Sequence, residues 1–293
     1  MSAFGWSSVK SPRNSSPTPP ESIGRQLLNS KQLFFRKSKK KFQSLILCHL
    51  MADSRGSTLS PDCNGNGEIE SVARNYAEII VIRHGETEWN ADRRIQGHLD
   101  VDLNDVGRQQ AYVVAERLSK EPKISAVYSS DLKRAFHTAE IIAKCCGVLE
   151  VVKDPDLRER HLGDLQGIVF HEIAKIKPEA HKAFISHRRD QEIPGGGESL
   201  NQLCERCTSG LQRIAKKHLG ERVVVVTHGG TIRALHRRAS SHGQSVGKVL
   251  NTSVNVFHLS AEDEWSIKSW GDVSHLKRTG FLESGFGGDS TSG

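Results

Sequence analysis

Long apolar runs are missing from this chain. The stretch Phe42–Met51 is broken by Gln43, Ser44 and His49 and, at ten residues, is too short to span a bilayer. Cysteine is scarce as well. The six cysteines, Cys48, Cys63, Cys145, Cys146, Cys204 and Cys207, lack the density and spacing of a disulfide framework, which points to a reducing compartment. Cys204-Glu205-Arg206-Cys207 is the sole Cys-x-x-Cys, and without a second pair or nearby His it reads as two helix cysteines rather than a zinc site. No Gly-x-x-x-x-Gly-Lys-Ser/Thr occurs, and Gly195–Gly197 has neither the lysine nor the preceding strand of a P-loop. A basic face is missing from most of the chain. Residues 1–60 carry ten Lys/Arg against two Asp/Glu, a net +8, so the other 233 residues carry −1 of the whole-chain +7. That balance argues against nucleic-acid binding, which needs a cationic footprint to release counterions.

What is present divides into three parts: a leader over residues 1–75, a folded body over 76–272 and a Gly/Ser-rich tail over 273–293. The leader has 13 Ser in its first 60 residues, the run Ser16-Pro17-Thr18-Pro19-Pro20 and the basic run Arg36-Lys37-Ser38-Lys39-Lys40-Lys41, a composition that favours disorder. Two readings of it stand side by side. As a Ser-rich, basic, acid-poor transit peptide it would direct the protein to a plastid or mitochondrion; with Met51 as the effective start, the protein would be cytoplasmic.

The body alternates. Ala77-Glu78-Ile79-Ile80-Val81-Ile82 is a short β-branched run, as in a central strand covered on both faces, and it ends in Arg83-His84-Gly85-Glu86-Thr87-Glu88-Trp89-Asn90. A second run, Val223–Val226, ends in Thr227-His228-Gly229-Gly230. Between them the pattern predicts a helix over Asn104–Lys120 capped by Asn104, a strand at Ala126–Tyr128 and a helix from Leu132 to Cys146 stopped by Gly147. A third strand at Val148–Val152, two short helices between Phe170 and Arg189, and a long helix from Glu198-Ser199 to Leu219 follow. Beyond the second run come a helix over Thr231–Ala239 and an antiparallel hairpin of Thr252–Leu259 with Trp265–Trp270. The expected fold is α/β: a mostly parallel sheet with helices on both faces and an antiparallel edge.

Ligands in such sheets sit beyond the carboxyl ends of the strands. Arg83, His84, Arg134, Glu159 and His228 all fall at those ends, and two Arg, two His and one carboxylate suit a phosphoryl group. Guanidinium forks bind phosphate oxygens, a neutral imidazole can attack phosphorus, a protonated His228 can share the charge, and Glu159 can protonate the leaving oxygen. A metal site built from His84, His98 and His228 is the weaker reading, because Arg83 repels a dication. A phosphate-binding module without catalysis also remains open, although it would not need Glu159.

Several motifs stand in order: Arg83–Asn90, Gln96-Gly97, Ser129-Ser130-Asp131-Leu132-Lys133-Arg134-Ala135, Leu157-Arg158-Glu159-Arg160-His161-Leu162-Gly163 and Thr227-His228-Gly229. On these the stretch from Glu78 to Leu259 resembles the histidine phosphatase superfamily, in particular its cofactor-dependent phosphoglycerate mutase branch. The resemblance implies the three-layer mutase-like fold, His84 as phosphohistidine nucleophile, Glu159 as proton donor and His228 as transition-state stabiliser. It places Arg83, Asn90, Gln96, Gly97 and Arg134 around the phosphate, with no metal and no cofactor. Three departures favour a phosphatase over a mutase: Leu162, Phe170 and Gly230 stand where the mutases carry Tyr, Lys and Asn. The segment from Arg189 to Glu198 is also compact where mutases have a longer insertion. Arg188-Arg189 matches the paired arginines with which mutases hold a small acidic substrate. The expectation is therefore a metal-independent phosphomonoesterase acting on a small phosphorylated metabolite that carries a carboxylate, with phosphoserine the nearest class. Phosphoglycerate mutase activity and a non-catalytic phospho-ligand binder are the alternatives. No nucleic-acid or membrane partner is expected, and a homodimer is the assembly considered.

Overall fold

The structure is a computed structural model and describes residues 75–240 and 246–277. The expected leader and most of the tail lie outside the described residues. β1 (Tyr76–Arg83) leads into a single-turn helix α1 (Glu88–Ala91), capped by Thr87, and then α2 (Asp105–Leu118), capped by Asn104. β2 (Ala126–Ser129), α3 (Lys133–Cys146) and β3 (Val151–Lys153) follow. After a long connection holding α4 (Ile173–Ile176) and α5 (Pro178–Phe184) come α6 (Leu200–Lys217), β4 (Arg222–Thr227), α7 (Gly229–Ala239) and the hairpin β5 (Val254–Ser260) and β6 (Trp265–Asp272).

The six strands form one sheet in the order β3-β2-β4-β1-β5-β6. The first four are parallel, β5 runs antiparallel to β1 and β6 antiparallel to β5, as expected of an antiparallel edge. β1 and β4 are neighbours at the centre, in a register that sets Ile82 beside Val226 and Arg83 beside Thr227. The two His-Gly strand ends therefore emerge side by side.

Side chains of β1 alternate between two cores. Ile79 and Val81, with Val223, Val225 and Phe257, pack under Leu203, Cys207, Leu211 and Ile214 of α6 and Ile232 and Leu235 of α7. Ile80 and Ile82, with Val127, Val224 and Val226, pack under Val114 and Leu118 of α2 and Ala135, Ala139 and Ile142 of α3. Ile79, Ile80, Val81 and Ile82 are all wholly buried. At about 1.5–3 kcal/mol for each fully buried aliphatic side chain, this strand alone is a large share of what holds the layers together. A third, smaller cluster of Ile95, Leu162, Leu165, Ile173, Ala180 and Ile193 anchors the long connection over the strand ends.

The structure departs from the sequence-based expectation at several boundaries. β3 starts at Val151, because the Val148 N–H closes onto the Ala143 carbonyl (2.9 Å) in the turn behind the left-handed Gly147. α7 starts at Gly229, so Gly229 and Gly230 are its first turn rather than a preceding loop. β5 starts at Val254, after Thr252 has taken a left-handed backbone with φ 55°. The body also extends past residue 272: Leu276, in a 3-10 turn over Ser274–Leu276, is buried. Among the described residues no helix is long and apolar enough to cross a membrane.

Candidate active site

The loop after β1 presents His84, which is 3% exposed. Its Nδ1 lies 2.7 Å from the carbonyl oxygen of Gly85. A carbonyl can only accept, so Nδ1 carries the proton and Nε2 holds the lone pair. The backbone around the ring is held by side chains from three distant elements: Gly85 N–H donates to Thr138 Oγ1 (3.1 Å), Glu86 N–H to Gln110 Oε1 (2.9 Å), and Asn251 Nδ2 donates to the His84 carbonyl (3.0 Å). The Glu86 carboxylate in turn accepts from Asn104 Nδ2 (2.8 Å), tying the loop to the start of α2. Glycine is required where this loop meets α2. A Cβ on Gly85 would sit 2.4 Å from the Gly107 carbonyl oxygen, and one on Gly107 only 2.0 Å from the Glu86 carbonyl oxygen.

Two buried guanidinium groups flank the imidazole. Arg83 donates from Nη1 to the Val249 carbonyl (2.8 Å), and Arg134, on the first turn of α3, donates to the carbonyls of Leu99 (3.0 Å) and Gly97 (2.7 Å). Burial lowers the Arg134 pKa to about 10, which leaves it charged at neutral pH. His228, at the mouth of β4, lies with its ring centre 5.2 Å from that of His84, and its Nε2 is 2.9 Å from Ser130 Oγ. Its Nδ1 is buried without a hydrogen-bond partner among the described residues, and so is Arg134 Nε. Burial first, then Arg134 and Arg83, holds the His84 pKa well below the usual imidazole value. Burial, Arg134, His84, His98 and Arg83 do the same to His228. Both rings are thereby disposed to the neutral form between the two arginines, and an anion placed among them would raise their proton affinity.

Glu159, 7% exposed, faces the same centre. Its Oε1 accepts from the Arg160 N–H (2.9 Å) and its Oε2 from the Gly230 N–H (3.0 Å). Burial raises its pKa, and these two donors with Arg134 and Arg83 offset part of the rise. A raised carboxyl pKa is what a proton donor near neutrality requires.

The other sequence-predicted residues divide. Gly97 has φ 53° and presents its carbonyl to Arg134, while a Cβ there would meet Gln166 Oε1 at 2.1 Å. Gln96 Oε1 lies 3.1 Å from Thr87 Oγ1, and Asn90 Oδ1 accepts from the Thr87 N–H (3.1 Å), so both are buried in the cap of α1 beside the pocket. Arg188 and Arg189 are not brought to the His84–His228 pair by their polar contacts. Arg188 pairs with Asp190 (2.9 Å) in solvent, and Arg189 Nε reaches Asn201 Oδ1 on α6 (3.3 Å). Burial first, and then the charge of Arg189, lowers the pKa of Arg237; burial likewise lowers that of Arg160 to about 10, with Glu198 and Glu159 opposing and Arg237 adding to the fall. His98 turns Nε2 to the Glu159 carbonyl (2.7 Å). Among the described residues no three His, Cys, Asp or Glu side chains gather as a metal-binding set.

Sequence reasoning missed Thr138, Gln110, Ser130 and Asn251. Thr138 and Gln110 left a signal: each is a polar residue on a helix face otherwise buried, and such residues need a buried partner.

Two strand ends, two arginines and a carboxyl group come together beyond the carboxyl ends of β1 and β4, an arrangement chemically suited to a tetrahedral anion, and the comparison with known proteins points the same way. The family model described as "Histidine phosphatase superfamily (branch 1)" matches residues 79–273. The chain belongs to the histidine phosphatase superfamily. A phosphoglycerate mutase-like protein 4 of Arabidopsis thaliana is 69% identical over 219 residues, 75% of this chain and 95% of that protein. A metal-independent phosphoserine phosphatase of the same plant is 56% identical over 219 residues, 75% of this chain and 91% of its own. Among solved structures, a phosphoserine phosphatase mutant of Entamoeba histolytica in complex with phosphoserine is 26% identical with a TM-score of 0.56, covering 68% of this chain and 99% of its own. Membership of the histidine phosphatase superfamily accounts for the order of the motifs. The geometry adds the tautomer of His84, and burial adds the lowered pKa of both rings and the raised pKa of Glu159.

Proposed function

We propose that the protein is a metal-independent phosphomonoesterase working through a phosphohistidine on a small phosphorylated metabolite with a carboxylate, phosphoserine being the substrate that fits best. The observation that supports this reading above all is the Nδ1–H of His84 held on the Gly85 carbonyl, which leaves Nε2 as a nucleophile between two arginines. In the first step Nε2 attacks phosphorus, the bond from phosphorus to the ester oxygen breaks, and the Glu159 carboxyl passes its proton to the departing alkoxide. Arg83 and Arg134 take the charge on the phosphoryl oxygens, and the His228 Nδ1 edge faces the same anion, with its proton affinity raised as the anion arrives. In the second step the Glu159 carboxylate removes a proton from water, the oxygen joins phosphorus, and the His84–phosphorus bond breaks to return the free imidazole and inorganic phosphate.

Three residues favour water over a second phosphate acceptor. Leu162 is buried in the small apolar cluster, Phe170 packs against it, and Gly230 has only its N–H to offer, which goes to Glu159. None supplies a side-chain hydrogen bond to a bisphosphate intermediate. Outside the pocket, Arg189 and Arg237 are exposed cations that can meet the substrate carboxylate, whereas Arg188 is already paired with Asp190.

The test is incubation with phosphoserine and, separately, with 3-phosphoglycerate, with and without a bisphosphoglycerate primer, following free phosphate. Release of phosphate without primer, lost in His84→Ala, is expected. Primer-dependent formation of 2-phosphoglycerate with little phosphate would replace this reading with mutase activity.

A further inference from the structure

The segment carrying Glu159 has no strand on which to satisfy its backbone. Four successive carbonyls, from Asp156 to Glu159, are instead taken by side chains. Thr227 Oγ1 donates to Leu157 O (2.6 Å), Thr231 Oγ1 to Arg158 O (2.8 Å) and His98 Nε2 to Glu159 O (2.7 Å). Arg206 takes three of the four: Nη1 donates to Asp156 O (2.8 Å) and Arg158 O (3.0 Å), and Nη2 to Glu159 O (3.2 Å).

The rest of the Arg206 fork is committed as well. Nε and Nη2 each lie 2.8 Å from one oxygen of the Glu198 carboxylate, a bidentate pair with both side chains about four-fifths buried. Glu198 then grips the other side of the same segment. Its Oε2 accepts from the His161 N–H (2.8 Å), its carbonyl from Arg160 Nε (2.9 Å), and its own N–H donates to the His161 carbonyl (2.8 Å). Residues 156–161 are therefore clamped between α6 and its N-terminal approach, with Glu159 in the middle.

We propose that Arg206 is a positioning residue for the proton donor: by holding the carbonyls of residues 156, 158 and 159 it sets where the Glu159 carboxyl stands relative to the departing oxygen. This rests on Glu159 being that donor. A flat guanidinium with five donors suits the task because three carbonyls and a carboxylate need hydrogen bonds in one plane, and an ammonium head cannot span them. The placement also gives a purpose to Cys204-Glu205-Arg206-Cys207. Its two cysteines pack on the sheet, with Cys207 fully buried, while Arg206 faces the strand ends.

The consequence can be read through the leaving group. An alkoxide cannot depart without a proton, whereas p-nitrophenolate can, so loss of donor geometry slows phosphoserine and spares p-nitrophenyl phosphate. kcat/KM is the quantity to compare, because it reports only the steps up to leaving-group departure and excludes hydrolysis of the phosphohistidine. Wild type, Glu159→Gln, Arg206→Ala and Arg206→Lys are assayed on both substrates, with melting temperature and circular dichroism for each variant. Proton donation commonly contributes 10²–10⁴-fold, so Arg206→Ala is expected to lower kcat/KM for phosphoserine by about tenfold or more beyond its effect on p-nitrophenyl phosphate, with Arg206→Lys in the same direction. Should the alanine variant not fold, the comparison is read on Arg206→Lys, which keeps the charge opposite Glu198. Equal losses on both substrates in the Arg206 variants, with a selective loss in Glu159→Gln, would overturn the positioning role and leave Glu159 as donor. No selectivity in Glu159→Gln would overturn the donor assignment and the positioning role with it.

Discussion

Each titratable side chain around the pocket has its proton placed by its neighbours. The low pKa of His84 keeps its Nε2 lone pair available from well below the ordinary imidazole range, so kcat/KM rises as pH passes upward through that value. The raised pKa of Glu159 keeps its carboxyl protonated above the usual carboxyl range, so with Glu159 as the proposed donor kcat/KM is expected to fall as pH passes upward through it. A bell bounded below by His84 and above by Glu159 is expected, and Glu159→Gln should abolish its descending limb; a pH series on both proteins with phosphoserine checks this. Charge at the rim acts differently. Arg189→Ala should raise KM for phosphoserine by up to about fivefold, the range of exposed ion pairs, while leaving KM for p-nitrophenyl phosphate alone. Arg188→Ala should do less, because Asp190 already neutralises that side chain.

Elements matter here through their ends. α2 brings Gly107 against the loop of His84 so closely that no side chain fits, and α6 begins with a capping box in which Ser199 and Gln202 hold each other's backbone N–H groups directly after Glu198. Gly107→Ala would by helix propensity alone gain about 1 kcal/mol. The clash with the Glu86 carbonyl reverses that: a net loss of about 1–2 kcal/mol in urea unfolding is expected, as for other overpacked sites. A fall in kcat of roughly 10- to 100-fold should accompany it as the His84 loop moves. Element types were legible in the sequence because they rest on local pattern. Asn104 before Val106, Gly147 after Cys146 and the β-branched runs at Ile79 and Val223 each announce a start, a stop or a strand. The site was legible to the extent that it stands at strand ends, which is why Arg83, His84, Arg134, Glu159 and His228 converge as expected. The hands that hold it were not: Thr138, Gln110, Asn251 and Arg206 reach the loops from 24 to 167 residues away, as the Gln110–Glu86 and Asn251–His84 bonds show at the two extremes. Only a solved arrangement of layers brings them near. The lowered pKa of His228 was equally hidden, because it depends on how deeply the layers bury it.

The whole molecule divides its charge in an uneven way. The net +8 of residues 1–60 leaves the rest near balance, yet inside that near-neutral body Arg83 and Arg134 concentrate positive charge at one buried point. The protein thus carries its own counter-charge for a phosphoryl group, and exhaustive treatment with a chelator is expected to leave phosphatase turnover unchanged; loss of turnover restored by one divalent cation would contradict this. The choice of β1 and β4 as adjacent parallel strands has a further consequence. Neighbouring strands stand about 4.8 Å apart, and the two imidazole centres stand 5.2 Å apart. The separation of the two rings thus stays close to the spacing of the paired strands that deliver them. The connections above the strands can therefore vary around the two rings while the pairing of β1 with β4 keeps their strands side by side.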